Sequence, residues 1–402
     1  MKVIYVNVTI PSYTHPLLER IVSKGCDLIM LLPQNDDKTV GTGVKRAEAK
    51  KTSYRICYSR SKIKWYGKPA LIDLKHILLE EKPDILMIGW PYFLHLFFDR
   101  SILKLMRKNK IRLILQEIPF QTPPFGKLGY FKEHPVYNEN MELQSHGLWF
   151  YLRAILTMWI RRYIYKKADA TVNYASCAYD VLPSYGVKRE DIFVRYNTSD
   201  TDALFEQREK VISTLPMLKV CPRILHIGRL VKWKKVDLLV EAFQKISEKY
   251  PDTELVIIGD GPERQTLEQQ VLQLGLEDRT VFTGAIYDPL TLGQYMHESS
   301  VYVLAGMGGL SINDAMCFSL PVICSVCDGT EKDLITDGVN GYIFQEGNVD
   351  SLAYKIDLVL SDRAKAKVMG EASYRVIKEK INLETVSQRY IDAFNYVISK
   401  QQ

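Results

Sequence analysis

Short runs of β-branched and other apolar residues alternate with amphipathic stretches from the start of the chain: Val3 to Val8, then Pro16 to Ser23, then Leu28 to Leu32. That rhythm predicts parallel strands joined by crossover helices. Further strands are predicted at Tyr54 to Tyr58, Asp84 to Ile88, Ile111 to Leu115, Ala170 to Asn173 and Ile192 to Val194, with the polar, basic stretch Asp36 to Lys51 as a mobile loop around Gly41-Thr42-Gly43. In the second half each apolar run ends in a small residue. Arg223 to Ile227 stops at Gly228, Leu255 to Ile258 at Gly259, Thr280 to Phe282 at Thr283-Gly284, Val301 to Leu304 at Ala305-Gly306, and Pro321 to Cys324 at Ser325. Ligands of open parallel sheets sit at the carboxyl ends of the strands, where these glycines fall. Thr198 to Leu218 is polar and then poorly patterned, and reads as a linker. Val386, Tyr390, Phe394 and Val397 recur at helical spacing near the end. The pattern gives an α/β chain with domains at 1–205 and 206–381, and a terminal helix, 382–402, returning to the first domain.

Length agrees with two domains, since 402 residues exceed what one core usually organises. The net charge of +6 hides an asymmetry. Residues 1–215 carry 33 Lys and Arg against 22 Asp and Glu, and residues 216–402 carry 20 against 25. The basic half suits an anionic partner: a membrane surface, a phosphorylated acceptor or nucleic acid. Seven scattered cysteines fit thiols in a reducing compartment rather than a disulfide framework, and the single Cys324-x-x-Cys327 has no second pair to make a metal site. The start, MKVIYVNV, runs directly into a strand pattern without a signal-peptide profile, and no segment reaches 18 uninterrupted apolar residues. A cytoplasmic protein, with any membrane contact peripheral, is expected.

Two clusters carry candidate chemistry. Gly228-Arg229-Leu230 leaves a strand and Lys234 follows, placing a guanidinium fork and a compact charge where phosphate oxygens can be held. Taken alone, Lys232, Lys234 and Lys235 read more simply as a solvated run around Trp233. Further on, Gly306-Met-Gly-Gly309-Leu310-Ser311-Ile-Asn-Asp314 is a glycine-rich turn opening a helix, whose free N–H groups form an anion site. Ser311-x-x-Asp314 also has the spacing of a capping box.

In combination, GRLVKWKKVDLLVEAF, ELVIIGDGPER, VFTG, GGLSINDAMCFSLPVIC and DGTEKDLITDGVNGYIF resemble the donor domain of family 4 retaining glycosyltransferases. Arg195-Tyr196-Asn197 through Phe205 is a weaker echo. The resemblance implies the GT-B architecture, two facing Rossmann-like domains with an interdomain cleft, and a nucleotide-sugar donor of UDP or GDP type used as a substrate, with no cofactor. It implies that Arg229 and Lys234, beside Gly228, contact the donor diphosphate and act in catalysis, that backbone amides of Gly309, Leu310 and Ser311 add to that site, and that Asp314 binds ribose hydroxyls. Three positions depart from the family pattern. Gly306 stands where the first Glu of E-x7-E is usual, Asp314 replaces the second, and Lys235 replaces a Gly. Glu331 or Asp328, on the next strand-end loop, is the expected substitute carboxylate. Fixed cations make a metal unnecessary, so Asp200-Thr-Asp202 reads as a turn rather than a metal-binding DxD.

On the acceptor side the strand-end loops contain Thr9 to His15, Gly89 to Tyr92 and Gln116 to Phe120. Glu117, directly after an apolar strand, is the candidate carboxylate beside the acceptor hydroxyl, with His15 second. Trp90 and Tyr92 either stack on a sugar or pack, and His226 belongs to the core. Leu148 to Lys167 mixes Trp149, Leu152, Leu156, Trp159 and Ile160 with Arg153, Arg161, Arg162, Lys166 and Lys167, as an interfacial helix does. A core-packed helix has the same look and is the preferred reading. The leading expectation is a hexosyltransferase of bacterial surface-polysaccharide type, for capsule or O-antigen, acting on a saccharide or lipid-diphosphate-linked acceptor. A non-catalytic nucleotide-sugar binding subunit is the alternative, given Gly306. A nicotinamide enzyme is disfavoured because no GxGxxG follows the first strand, and nucleic-acid binding because the basic residues form no reading motif.

Overall fold

The computed structural model describes residues 1–34, 52–119, 122–133, 147–214, 221–327 and 329–400. The mobile-loop reading of 36–51 and the candidate Asp328 fall outside them. The chain forms two compact units, Met1–Tyr196 with Leu383–Gln402, and Asn197–Asn382.

Among the described residues the first unit holds an eight-stranded sheet made of β1 (Lys2–Val6), β2 (Asp27–Gln34), β3 (Arg55–Ile63), β4 (Pro69–Leu71), β5 (Ile85–Gly89), β6 (Arg112–Glu117), β7 (Ala170–Asn173) and β8 (Ile192–Val194). Their order is β4-β3-β2-β1-β5-β6-β7-β8. All neighbours are parallel except β3 and β4, an antiparallel edge pair of which the hydrophobic pattern revealed β3, at Tyr54 to Tyr58, but not β4. Central strands such as β1, with Val3 paired to both Leu28 and Ile85, are covered on both faces, which is why they read as unbroken apolar runs. The terminal helix Leu383–Ser399 packs on this unit. Arg20 meets Glu384 at 2.8 Å, and Arg389 donates to the Val194 carbonyl at 3.0 Å.

The second unit carries β9 (Arg223–Ile227), β10 (Glu254–Ile258), β11 (Thr280–Gly284), β12 (Val301–Leu304), β13 (Val322–Cys324) and β14 (Gly341–Ile343), all parallel, in the order β11-β10-β9-β12-β13-β14. Gly259 shows why small residues end these strands. Its φ is +147°, and an added β-carbon would lie 1.8 Å from the Gly228 carbonyl oxygen. The linker expectation fails over Thr201–Thr214, which is a helix of the second unit with Thr201 and Val211 buried. Its polar outer face concealed a narrow buried stripe.

Candidate functional site

Sheet order in the second unit reverses at β9: β10 and β11 lie to one side and β12 to β14 to the other. The loops after β9 and β12 therefore flank the crevice where such sheets bind ligands. Gly228 and Arg229 leave β9, and the glycine-rich turn leaves β12. A β-carbon on Gly228 would sit 3.8 Å from Lys234 Cε, and one on Gly309 3.2 Å from Lys234 Nζ, so two sequence-selected glycines close on the side chain of a third selected residue. Lys234 is only 9% exposed, and its Nζ donates to the carbonyls of Met307 and Gly308, each at 2.9 Å. The solvated-run reading holds for the exposed Lys232 and fails for Lys234. Arg229 is exposed, its guanidinium 5.8 Å from the Trp233 ring.

Leu310 caps the seven-residue helix Ser311–Cys317 without a side-chain bond. The capping-box reading is thus corrected. Ser311 is already inside the helix, and its Oγ accepts the Tyr302 hydroxyl at 2.7 Å. Asp314 accepts instead from Ser199 Oγ at 2.5 Å, and burial pushes its carboxyl up to about 6, partly offset by that hydroxyl. Glu331 is fully buried, with Oε2 accepting the Gly329 N–H at 3.0 Å. His226 is a core residue: Nδ1 lies 3.0 Å from the Val303 carbonyl, and burial lowers its pKa to about 4. Asp200-Thr201-Asp202 is not a free turn but a helix start, where Asp200 accepts from the Ala203 N–H at 3.3 Å.

Two departures from the family pattern have structural explanations. A β-carbon at Gly306 would lie 2.2 Å from the Trp233 carbonyl oxygen and 2.6 Å from the Lys234 carbonyl carbon. The turn carrying Lys234 occupies the space a side chain would need. Lys235 adopts φ +49°, the left-handed conformation that favours glycine, and its Nζ meets Glu346 at 2.7 Å.

In the first unit the order reverses between β1 and β5. A cavity of about 780 Å³ opens there, lined at the strand ends by Asn7, Gly89, Gln116 and Glu117. Glu117 is 3% exposed. Its Oε2 accepts from Arg161 at 2.9 Å, while Oε1 is buried and accepts no hydrogen bond among the described residues. The same Arg161 nitrogen donates to the Tyr165 hydroxyl at 2.8 Å, and the guanidinium covers the Trp90 ring at 4.6 Å. Trp90 is partly exposed and Tyr92 is buried packing. His15 is occupied by the Tyr54 hydroxyl at 2.9 Å.

Neither Arg161 nor Ser199 was singled out from sequence as a partner of the candidate carboxylates. For Arg161 a signal existed. It lies three residues after Met158 and four before Tyr165, on the face the helix Leu148–Tyr165 buries. The core-packed reading of that helix holds only for this C-terminal half. Leu148, Trp149, Leu152, Leu156 and Trp159 are exposed, Trp149 by 83%.

Residues 218–376 match the family model for glycosyl transferases group 1. The matched stretch is less than half of the chain and lies within the second unit. An uncharacterized glycosyltransferase of Haemophilus influenzae is 28% identical over 170 residues, 42% of this chain and 47% of its own length. The N-acetyl-alpha-D-glucosaminyl L-malate synthase of Bacillus anthracis is 28% identical over 205 residues, 50% of this chain and 52% of that one. The chain thus spans about half the length of these curated relatives. Anabaena HepE, solved in complex with UDP, superimposes with TM-score 0.65 at 17% identity, covering 98% of this chain and 100% of its own. The lipopolysaccharide outer core galactosyltransferase WaaB, in its apo form, gives 0.66 at 17%, covering 98% and 99%. These likenesses establish the fold: two parallel-sheet α/β domains, as in GT-B glycosyltransferases.

Proposed function

We propose that the protein is a retaining, metal-independent glycosyltransferase. It moves a hexosyl group from a nucleoside-diphosphate sugar, of UDP or GDP type, to a saccharide or lipid-diphosphate-linked acceptor in surface-polysaccharide synthesis. One observation carries this reading: Lys234 is buried against the glycine-rich turn with Gly228 and Gly309 beside it, at the reversal point of a group 1 domain. An amine held there, with the exposed Arg229 fork and the amides of Gly309, Leu310 and Ser311, suits a diphosphate. As the glycosidic bond to the leaving nucleotide breaks, negative charge grows on the diphosphate, and fixed donors aimed at it lower the barrier. Asp314 is assigned to the ribose hydroxyls and Glu331 to donor-sugar recognition. The binding of UDP by HepE supports the donor class.

Glu117 takes the acceptor hydroxyl, because it lines the first unit's cavity and its Oε1 is a buried acceptor without a hydrogen bond among the described residues. Contact with an anionic membrane face is assigned to the exposed apolar half of the Leu148–Tyr165 helix and its Arg153; among the described residues no helix is long and apolar enough to cross a membrane. A thermal-shift panel of UDP, GDP and their sugars tests the core of the reading. A selective, saturable shift is expected, abolished by Lys234→Ala. No shift with any nucleoside diphosphate would overturn it.

A further inference from the structure

The first unit's cavity differs in kind along its walls. Polar groups gather at the strand ends, at Asn7, Gln116 and Glu117, whereas the remainder is mostly aromatic and aliphatic, with Lys68, Arg153, Thr157 and Arg161 set among them. Tyr66 stacks on Phe98 with centroids 4.2 Å apart, Trp65 meets Phe98 edge-on at 5.0 Å, and Phe131 meets Phe150 at 5.0 Å. A saccharide can lay one C–H face on a ring, but it carries a hydroxyl on nearly every carbon, and a mostly apolar wall pairs few of them once water is expelled. Hydrocarbon has the opposite preference.

The apolar wall also continues outward. Leu156 lines the cavity and is 60% exposed. It shares one helix face with Leu148 and Leu152, at steps of four residues, and Trp159 follows three later. The exposed apolar stripe of this helix therefore reaches the cavity at Leu156. Besides Arg161, which is paired with Glu117, two further cations, Lys68 and Arg153, line the same cavity, Lys68 lying 5.8 Å from the Trp90 ring.

We propose that this cavity holds the first part of the hydrocarbon chain of a lipid-phosphate acceptor, entered along the Leu148–Tyr165 helix, with the phosphate met by Lys68 and Arg153. The hydroxyl to be glycosylated then lies toward Glu117. The inference rests on the transferase reading for the identity of that saccharide end, but the chain site stands on the cavity itself.

The test uses the full chain and an ω-bromoundecyl phosphate probe below its micellar concentration, read by bromine quenching of tryptophan fluorescence, since Trp65 and Trp90 line the cavity. Saturable quenching is expected, with no protection by inorganic phosphate or a soluble disaccharide. Ala154→Phe and Thr157→Phe, which fill the cavity from the helix, are each expected to weaken binding at least tenfold while the UDP thermal shift persists. Quenching unchanged by both variants overturns the proposal, as does protection by the disaccharide equal to that by unbrominated undecyl phosphate; the latter comparison needs only the wild-type protein. If the chain self-associates and Trp149→Glu dissociates it without altering quenching, the helix face is a subunit contact and the entry path falls. UDP binding without chain binding sinks this inference alone, and chain binding without UDP binding sinks only the transferase reading.

Discussion

The carbonyl oxygen of Trp233 occupies the space beside Gly306, 2.2 Å from where a β-carbon on residue 306 would stand. The same contact is a hydrogen bond, Met307 N–H to that oxygen at 2.8 Å. Replacing Gly306 by Glu, as the family pattern suggests, must therefore push the Lys234 turn away rather than restore a carboxylate. Gly306→Glu and Gly306→Ala are both expected to lower stability, by about 1 to 3 kcal/mol as overpacking does, and to weaken UDP binding. Denaturation of the second unit with and without UDP measures both. A stable Gly306→Glu variant with tighter donor binding would show that the turn yields readily.

Arg229 and Lys234 are assigned to one diphosphate but differ in burial, so their variants should differ in kind. Arg229→Ala removes an exposed side chain and is expected to cut kcat about a hundredfold or more, by analogy with loss of a charge-stabilising donor, with little change in Tm. Lys234→Ala also leaves two carbonyls without their donor, so a stability loss of about 1 to 3 kcal/mol should accompany the kinetic defect. Parallel Tm and single-turnover measurements separate them. Equal stability losses would contradict the assigned burial difference.

The strand-ending glycines made the second sheet and its phosphate-side residues legible, because each apolar run stopped at a small residue before a helix. Relations across the chain were not legible. Ser199 and Asp314 are 115 positions apart, Glu117 and Arg161 are 44 apart, and neither pair is encoded in local spacing. The Thr201–Thr214 helix was hidden because only Thr201 and Val211 are buried, too few to mark a periodic stripe. For the Leu148–Tyr165 helix, composition was clear but burial was divided between its halves, which an average over the whole segment obscures.

Glu117 and Arg161 are both nearly buried, so their pairing is costly to break and weak evidence for stability in itself. Arg161→Ala is expected to destabilise the first unit by about 3 to 5 kcal/mol, by stranding the carboxylate and uncovering Trp90. The double variant Arg161→Met with Glu117→Leu should recover most of that loss while remaining inactive. Urea unfolding followed by tryptophan fluorescence tests the first statement, and an acceptor-transfer assay the second. Transfer by the folded double variant would remove Glu117 from the reaction.

Asp314 gives the protein a pH dependence of defined sign. Burial raises its folded carboxyl to about 6 from an unfolded value of 3.8, so ionisation is disfavoured in the fold. Its contribution to stability is fully present below about pH 4 and is lost as pH rises through 6, a change of about 2 to 3 kcal/mol. The neighbouring Tyr302 hydroxyl and Cys317 thiol, both pushed up mainly by burial, stay neutral across that window. A ligand whose hydroxyls donate to the carboxylate favours the ionised form, so UDP should bind more tightly as pH rises from 5 to 7. In apo protein, Asp314→Asn should gain stability relative to wild type above pH 6 and lose that advantage below pH 4. With UDP, its affinity should be weaker and flat across the range. Thermal unfolding at several pH values, with and without UDP, resolves both. A pH-independent difference between wild type and Asp314→Asn would remove this carboxylate from the ribose site.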